Sequence, residues 1–245
     1  MSESAKLENK VVMVITAHPD DSEFGCAGTI AAWVREGWEA YYLICADGSG
    51  GGSDEATDVG SEARRKVAEI RRDEQRAAAE VVGVKEVVFL DYPDGQLEPS
   101  LALRRDIVRQ LRRFRPARVI CQSPERSWLP RLAIPRYHPD HMAAGEAALS
   151  AIYPACQNPW DFPELLAEGF GPHKVSEVFI MGAPAVNFGV DISQTLDTKL
   201  NALRAHTSQT SASFDNINQW MRTLAAEIGK KYELPAAEEF HRTEN

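Results

Sequence analysis

The feature that most constrains this chain is an alternation. Short apolar runs lie at 11–17 (VVMVITA), 40–46 (AYYLICA), 85–90 (KEVVFL), 117–123 (ARVICQS) and 178–183 (VFIMGA). Between them lie helical patterns near 24–36, 61–82, 100–114, 139–151 and 193–206, with another near 211–231. The first, second and fourth runs are apolar without clean alternation, as expected of strands covered on both faces. Strand–helix alternation of this kind predicts an α/β fold with a mostly parallel sheet and helices on both faces. In such sheets the ligand crevice lies beyond the carboxyl ends of the strands, so residues directly after each strand carry the most information.

The arrangement is Rossmann-like, and 245 residues suit one α/β domain. No repeat or shift in composition marks a second domain. Residues 1–10 are expected to be flexible and 233–245 to form a C-terminal tail. Loops are expected at 48–60, 123–138 and 153–173, where glycine or proline is frequent. Asp and Glu number 36 against 27 Lys and Arg, a formal charge of −9. That balance argues against nucleic acid or an anionic membrane as partner. No apolar stretch approaches the roughly 20 residues needed to span a bilayer. The start is polar and mixed in charge, without an export signal. Cys26, Cys45, Cys121 and Cys156 form no C-x-x-C pair. A reduced, cytoplasmic protein is the expectation.

The chemistry concentrates in two tetrapeptides. His18-Pro19-Asp20-Asp21 follows the first strand, and His138-Pro139-Asp140-His141 opens the helix near 139–151. Each has a proline at an expected helix position N1, where its missing N–H costs nothing. Residues i and i+3 share a helix face, so His18 is expected beside Asp21 and His138 beside His141. Imidazole and carboxylate are zinc ligands, and a catalytic site uses three of them plus water. A neighbouring carboxylate that is not a ligand can take the water's proton. Either tetrapeptide alone reads as a polar helix cap; the two together favour a metal site.

The stretches AHPDDSEFGCAGTIA, HPDHMAAGEAAL and DTKLNALRAHTSQ together resemble the LmbE-like, or PIG-L, family of zinc-dependent N-deacetylases, over about residues 11–209. The K-x6-H-x-S-Q ending (Lys199, His206, Ser208, Gln209) supports the resemblance. That family acts on N-acetylglucosamine units in conjugates such as mycothiol and bacillithiol precursors, glycosylphosphatidylinositol precursors, chito-oligosaccharides and some antibiotics. The resemblance implies His18, Asp21 and His141 as ligands of Zn2+, with Fe2+ or another divalent transition metal also suited to two histidines and a carboxylate. It implies a metal-bound water as nucleophile and Asp20 as general base. His138 would steady the oxyanion or act as acid, and Arg71 and Asp94 would face substrate. Homo-oligomers are common in the family, and its substrates are small amino-sugar conjugates. Two departures bear on packing or specificity rather than on the metal: Ser22 stands where Glu is frequent, and Ala27 replaces a Gly of the usual GCGGT.

Other signals have plainer readings. Val67, Ile70, Ala77 and Val81 read as the apolar stripe of the 61–82 helix, with Gly83 as its stop and Glu74 paired to Arg71. The run Gly48-Ser49-Gly50-Gly51-Gly52 lacks a full G-x-G-x-x-G and reads as a substrate loop, not a dinucleotide site. Arginines 104, 105, 109, 112, 113, 115 and 118 read as a solvated outer helix face. Arg126, Arg131 and Arg136 lie in the loop before HPDH, where an acidic substrate or solvent could meet them. His206 reads as structural or as an outer support of the site, and Trp160 and Phe162 as ordinary packing. Two alternatives stay open: a metal-dependent hydrolase of another amide, ester, thioester or phosphoester bond, and a non-hydrolytic nucleotide-binding α/β protein.

Overall fold

The structure is a computed structural model that describes residues 9–128 and 133–245. Its strands are β1 (Val11–Thr16), β2 (Glu39–Ala46), β3 (Glu86–Tyr92), β4 (Arg118–Gln122), β5 (Glu177–Met181), β6 (Phe188–Asp191) and β7 (Ala237–Glu244). They form a sheet in the order β3-β2-β1-β4-β5-β7-β6. The pairings from β3 across to β5 are parallel, while β7 runs antiparallel to both of its neighbours. The helices are α1 (Asp21–Gly25), α2 (Ala27–Arg35), α3 (Ser61–Val82), α4 (Leu101–Phe114), α5 (Ile134–Tyr137), α6 (Pro139–Ser150), α7 (Pro163–Ala167), α8 (Leu196–Ala205), α9 (Thr207–Thr210) and α10 (Phe214–Lys231).

Each strand of the sheet's centre feeds two cores. Met13 and Ile15 of β1 join Leu43, Cys45, Val119 and Cys121 beneath Leu103, Ile107 and Leu111 of α4 and the alanines of α6. Val12 and Val14 point the other way, with Tyr42, Ile44 and Ile120, onto Ile30 and Trp33 of α2 and Ala78, Ala79 and Val82 of α3. Two covered faces explain why these runs are continuously apolar. Cys45 and Cys121 are buried and free, and all four thiols are unpaired.

The five expected strands are present within a few residues of their sequence bounds. The segment 233–245 is corrected: instead of a tail, it supplies β7 inside the sheet. Its inward face carries Glu238, which is buried and pairs with the buried Lys199 at 2.5 Å. A charged residue at a core position hides the strand's alternation. Glu238 also accepts from the N–H groups of Gly28 and Thr29, an anion at the start of α2.

The stripe read on α3 is also corrected. Ile70 and Val81 are exposed, and the buried face holds Ala68, Arg71, Glu74, Gln75, Ala78, Ala79 and Val82. Arg71, Glu74 and Gln75, near its middle, turn inward because they meet Asp20 and Ser208. The solvated-arginine reading fails at two positions. Arg112 is buried and donates to the carbonyls of Ala155, Cys156, Asn158 and Asp161. Arg118 stacks on Trp33 and Trp38 and pairs with Glu177. Phe162 packs against the first core, whereas Trp160 is exposed.

Candidate active site

From β1 the chain steps outward through β2 to β3 on one side, and β4 and β5 lie on the other. The crevice between the carboxyl ends of β1 and β4 is therefore the switch point where α/β sheets bind ligands. Residues after four successive strands converge there: His18 to Asp21 after β1, Gly48 to Gly51 after β2, Asp94 after β3, and His138 to His141 on the way out of β4.

The turn after β1 is held in an unusual shape. Asp20 adopts a left-handed backbone, φ 86° and ψ −23°, and caps α1. For a non-glycine residue this costs about 1–3 kcal/mol, sustained only by its surroundings. Its carbonyl accepts from the N–H groups of Glu23 and Phe24. Its own N–H donates to Gln75 Oε1 at 2.9 Å. Its carboxylate accepts from Arg71 Nη2 at 3.1 Å. Arg71 also donates to the carbonyls of Pro19 (2.8 Å) and Gly48 (3.1 Å), so one guanidinium ties the β1 and β2 exits together. A Cβ at Gly51 would collide with that guanidinium, which explains the glycine run as close packing. Pro139 opens α6 at N1 as expected, whereas Pro19 precedes the Asp20 cap and lies outside the helix.

The histidines and Asp21 meet. Ring nitrogens of His18, His138 and His141 lie within 4.8 Å of one another. Asp21 Oδ1 is 3.1 Å from His141 Nε2, and Oδ2 is 3.6 Å from His18 Nδ1. His18 and His141 are each 6% exposed, so the donors are shielded from bulk water. His18 Nε2 is committed elsewhere, to Asp140 at 3.0 Å and Asp94 at 3.1 Å. That leaves Nδ1 facing Asp21 and supplies the outer acceptor a metal-binding histidine needs. Imidazoles plus one carboxylate, nearly buried and converging, fit a divalent transition-metal ion. His18, Asp94 and Asp140 also cluster. Their carboxylates are already engaged by the N–H groups of Gly50, Gly95 and Leu97, so this cluster is a fixed anchor for His18.

Charge follows this geometry. Burial works against a charge on His18, yet Asp140, Asp21 and Asp94 push it up to about 12. Burial likewise opposes an ionised Asp21, but His141 and His18 hold it well below the usual carboxylate range. Burial pushes Asp20 up to about 6, against the pull of Arg71. Burial lowers His138, helped by the neighbouring His18 and His141. His138 Nδ1 accepts from the N–H of Asp140 at 3.2 Å, so the neutral ring carries its proton on Nε2. Asp94 is held down to about 2: the His18 and Gly50 hydrogen bonds outweigh its burial.

All seven residues singled out in the sequence, His18, Asp20, Asp21, Arg71, Asp94, His138 and His141, are thus brought together. Arg71 and Asp94 face Asp20, His18, the backbone and each other. Glu74 is corrected: its partners are the Thr207 hydroxyl and the Ser208 N–H and hydroxyl, at 2.7–2.8 Å, not Arg71. Arg136 donates to Ser127 and to the carbonyls of Gly182 and Ala183. Arg126 lines a surface cavity of about 440 Å³ with Trp128 and Lys231, and Arg131 lies outside the described residues. Sequence reasoning passed over Asp140, Glu23 and Gln75. Asp140 sits between two assigned histidines, a signal that could have found it; Glu23 and Gln75 had none.

Residues 13–152 match the PIG-L family, described as GlcNAc-PI de-N-acetylase. The chain belongs to that family. A diacetylchitobiose deacetylase of Thermococcus kodakarensis is 33% identical over 222 residues, covering 90% of this chain and 78% of that protein. A probable N-acetyl-alpha-D-glucosaminyl L-malate deacetylase 2 of Bacillus anthracis is 30% identical over 200 residues, covering 81% and 80%. The N,N'-diacetylchitobiose deacetylase of Pyrococcus horikoshii superposes with a TM-score of 0.84 at 31% identity, covering 96% of this chain and 84% of that one. The PIG-L match spans both tetrapeptides, whereas the Lys199–Gln209 motif lies beyond it. Among the described residues no helix is long and apolar enough to cross a membrane.

Proposed function

We propose that this chain is a metal-dependent N-deacetylase that hydrolyses the acetamide of an N-acetylglucosamine-type conjugate. The observation that carries the reading is the meeting of Asp21 with His18 and His141 at the switch point of the sheet, next in sequence to Asp20, whose carboxylate is held by Arg71. His18, Asp21 and His141 would hold the ion, with zinc the first choice. When bound, a divalent ion supplies a Lewis acid that polarises the acetamide carbonyl and acidifies water.

Asp20 takes a proton from the attacking water; burial, which brings its affinity for protons toward neutral pH, supports that role. Arg71 fixes the carboxylate's direction and keeps it ionised in the resting state. His138, neutral and with its proton on Nε2, donates a hydrogen bond to the oxygen where negative charge develops. The proton on Asp20 then passes to the departing amine, giving acetate and a free amino sugar. Relatives named for diacetylchitobiose and for a glucosaminyl malate support amino-sugar conjugates as the substrate class.

The deciding experiment measures acetate release from a panel of N-acetylglucosamine conjugates, with metal content quantified on the same sample. Acetate release that disappears on chelation and returns with the ion is expected. Release of phosphate or thiol without acetate would move the chain to another hydrolase class. Nucleotide-induced stabilisation indifferent to chelator would favour the binding-protein alternative.

A further inference from the structure

From the Asp20 backbone runs a chain of buried polar groups. Gln75 of α3, Glu23 of α1 and His206 at the end of α8 are each 0% exposed. Gln75 Oε1 accepts from the Asp20 N–H at 2.9 Å. Gln75 Nε2 donates to both oxygens of Glu23 at 3.1 and 3.2 Å. Glu23 Oε2 lies 3.2 Å from His206 Nε2, while His206 Nδ1 has no partner. Neighbouring residues of the same motif secure this assembly. Lys199 donates to the carbonyl of Phe24 at 2.8 Å, Ser208 binds Glu74, and Gln209 donates to the carbonyl of Gly51 at 2.8 Å.

We infer that Gln75, oriented by Glu23 and His206, is a positioning residue that holds the left-handed backbone of Asp20 and so aims its carboxylate. The inference deepens the proposed reaction and rests on Asp20 acting as its base. Three observations carry it. First, the bond goes to the main chain of the one site residue whose backbone is strained, so it acts on conformation and not on charge. Second, the direction of every bond is fixed. The Asp20 backbone N–H can only donate, so Gln75 must turn its carbonyl to Asp20 and its amide N–H groups to Glu23. A glutamine is the neutral side chain long enough to do both from α3. Third, burying Glu23 without partners would be costly, so the fold keeps this network for something. Arg71 and Gln75 lie four residues apart on one face of α3, and together they grip Asp20 at carboxylate and backbone.

The test is an exchange of polarity. Gln75→Met keeps the length of the side chain and removes its acceptor. Gln75→Glu sets two carboxylates against each other, and Glu23→Gln keeps both links only if its amide donates to a His206 ring protonated on Nδ1. The double variant Gln75→Glu/Glu23→Gln restores a donor and an acceptor at each link while reversing only the bond between 75 and 23: a Glu at 75 still accepts from the Asp20 N–H, a Gln at 23 donates to it, and that Gln accepts from His206 Nε2–H. With a deacetylated conjugate identified, Gln75→Met is expected to lower kcat roughly 10–100-fold, with KM within about twofold and bound metal unchanged. The double variant is expected to recover kcat above either single variant. A buried structural amide would not produce that rescue. Unchanged kcat in a folded Gln75→Met protein, or a double variant no better than its worse parent, overturns the inference. If the wild-type protein releases no acetate, the functional reading fails separately, and the positioning claim is read from crystal structures of the metal-loaded wild type and Gln75→Met. Asp20 should leave the left-handed region in the variant; an unchanged φ there overturns the claim by itself.

Discussion

Asp20 combines two properties that pull against each other: a carboxylate made more basic by burial and a guanidinium that keeps it ionised. Asp20→Asn removes the charge while leaving size and metal ligands alone. Expected is full metal content with kcat lowered about 10²–10⁴-fold, the usual worth of a positioned general base. Metal analysis and initial rates on one preparation check this, and retained turnover would remove Asp20 as base. The pH dependence has a definite sign. The active form is deprotonated, so kcat/KM rises as pH climbs through the midpoint. Burial sets that midpoint at about 6, and a dication beside Asp21 draws it lower, so the acidic limb should fall at or below about pH 6. A limb centred above 7 would belong to another group. The residues proposed as ligands and base stood out in the sequence because two tetrapeptides pack histidine and carboxylate closely. Gln75 and Glu23 were not, since each acquires its role from a partner 52 or more residues away.

Among the elements, α6 carries His141, has His138 as its N-cap and rests directly on the exit of β4. Gly145 makes that approach possible: a Cβ there would collide with the carbonyl of Gln122 and crowd the backbone of Ser123 and Pro124. Glycine to alanine inside a helix ordinarily stabilises by about 0.5–1 kcal/mol. At this position the obstacle is backbone, which cannot swing aside, so overpacking of about 1–3 kcal/mol wins. Gly145→Ala should therefore lower Tm by several degrees and weaken metal binding, because α6 moves away with its histidines. Calorimetry and metal titration read the two effects, and a variant that melts higher than wild type would contradict the account. The five apolar strands were readable because both their faces are covered. β7 was not, since Glu238 points inward to Lys199. The phase of α3 was misread for a related reason: Arg71, Glu74 and Gln75 occupy its buried face and displace the apolar stripe.

For the whole molecule, sequence order does not disclose that β1 and β4 are neighbours, and that adjacency is what creates the crevice. The candidate ion would bridge elements more than a hundred residues apart, α1 and α6, which meet at the contact of Asp21 with His141. Without an ion, three carboxylates surround His18 and keep it protonated. The ring and its neighbours then satisfy one another, so the metal-free chain should remain folded. An ion that binds only the folded form adds RT ln(1 + [L]/Kd), about 2.7 kcal/mol at a hundredfold excess over Kd. For a chain of this size each kcal/mol moves Tm by about 2–4 °C. Chelation should thus lower Tm by roughly 5–11 °C in one cooperative transition, and adding back the ion should restore it in proportion to the logarithm of its concentration. His141→Ala should abolish that response and also lower the metal-free Tm, because it removes the buried partner of Asp21. A Tm indifferent to both chelation and re-addition would mean that these imidazoles are a hydrogen-bonded cluster and not a metal centre, and the hydrolytic reading would lose its electrophile.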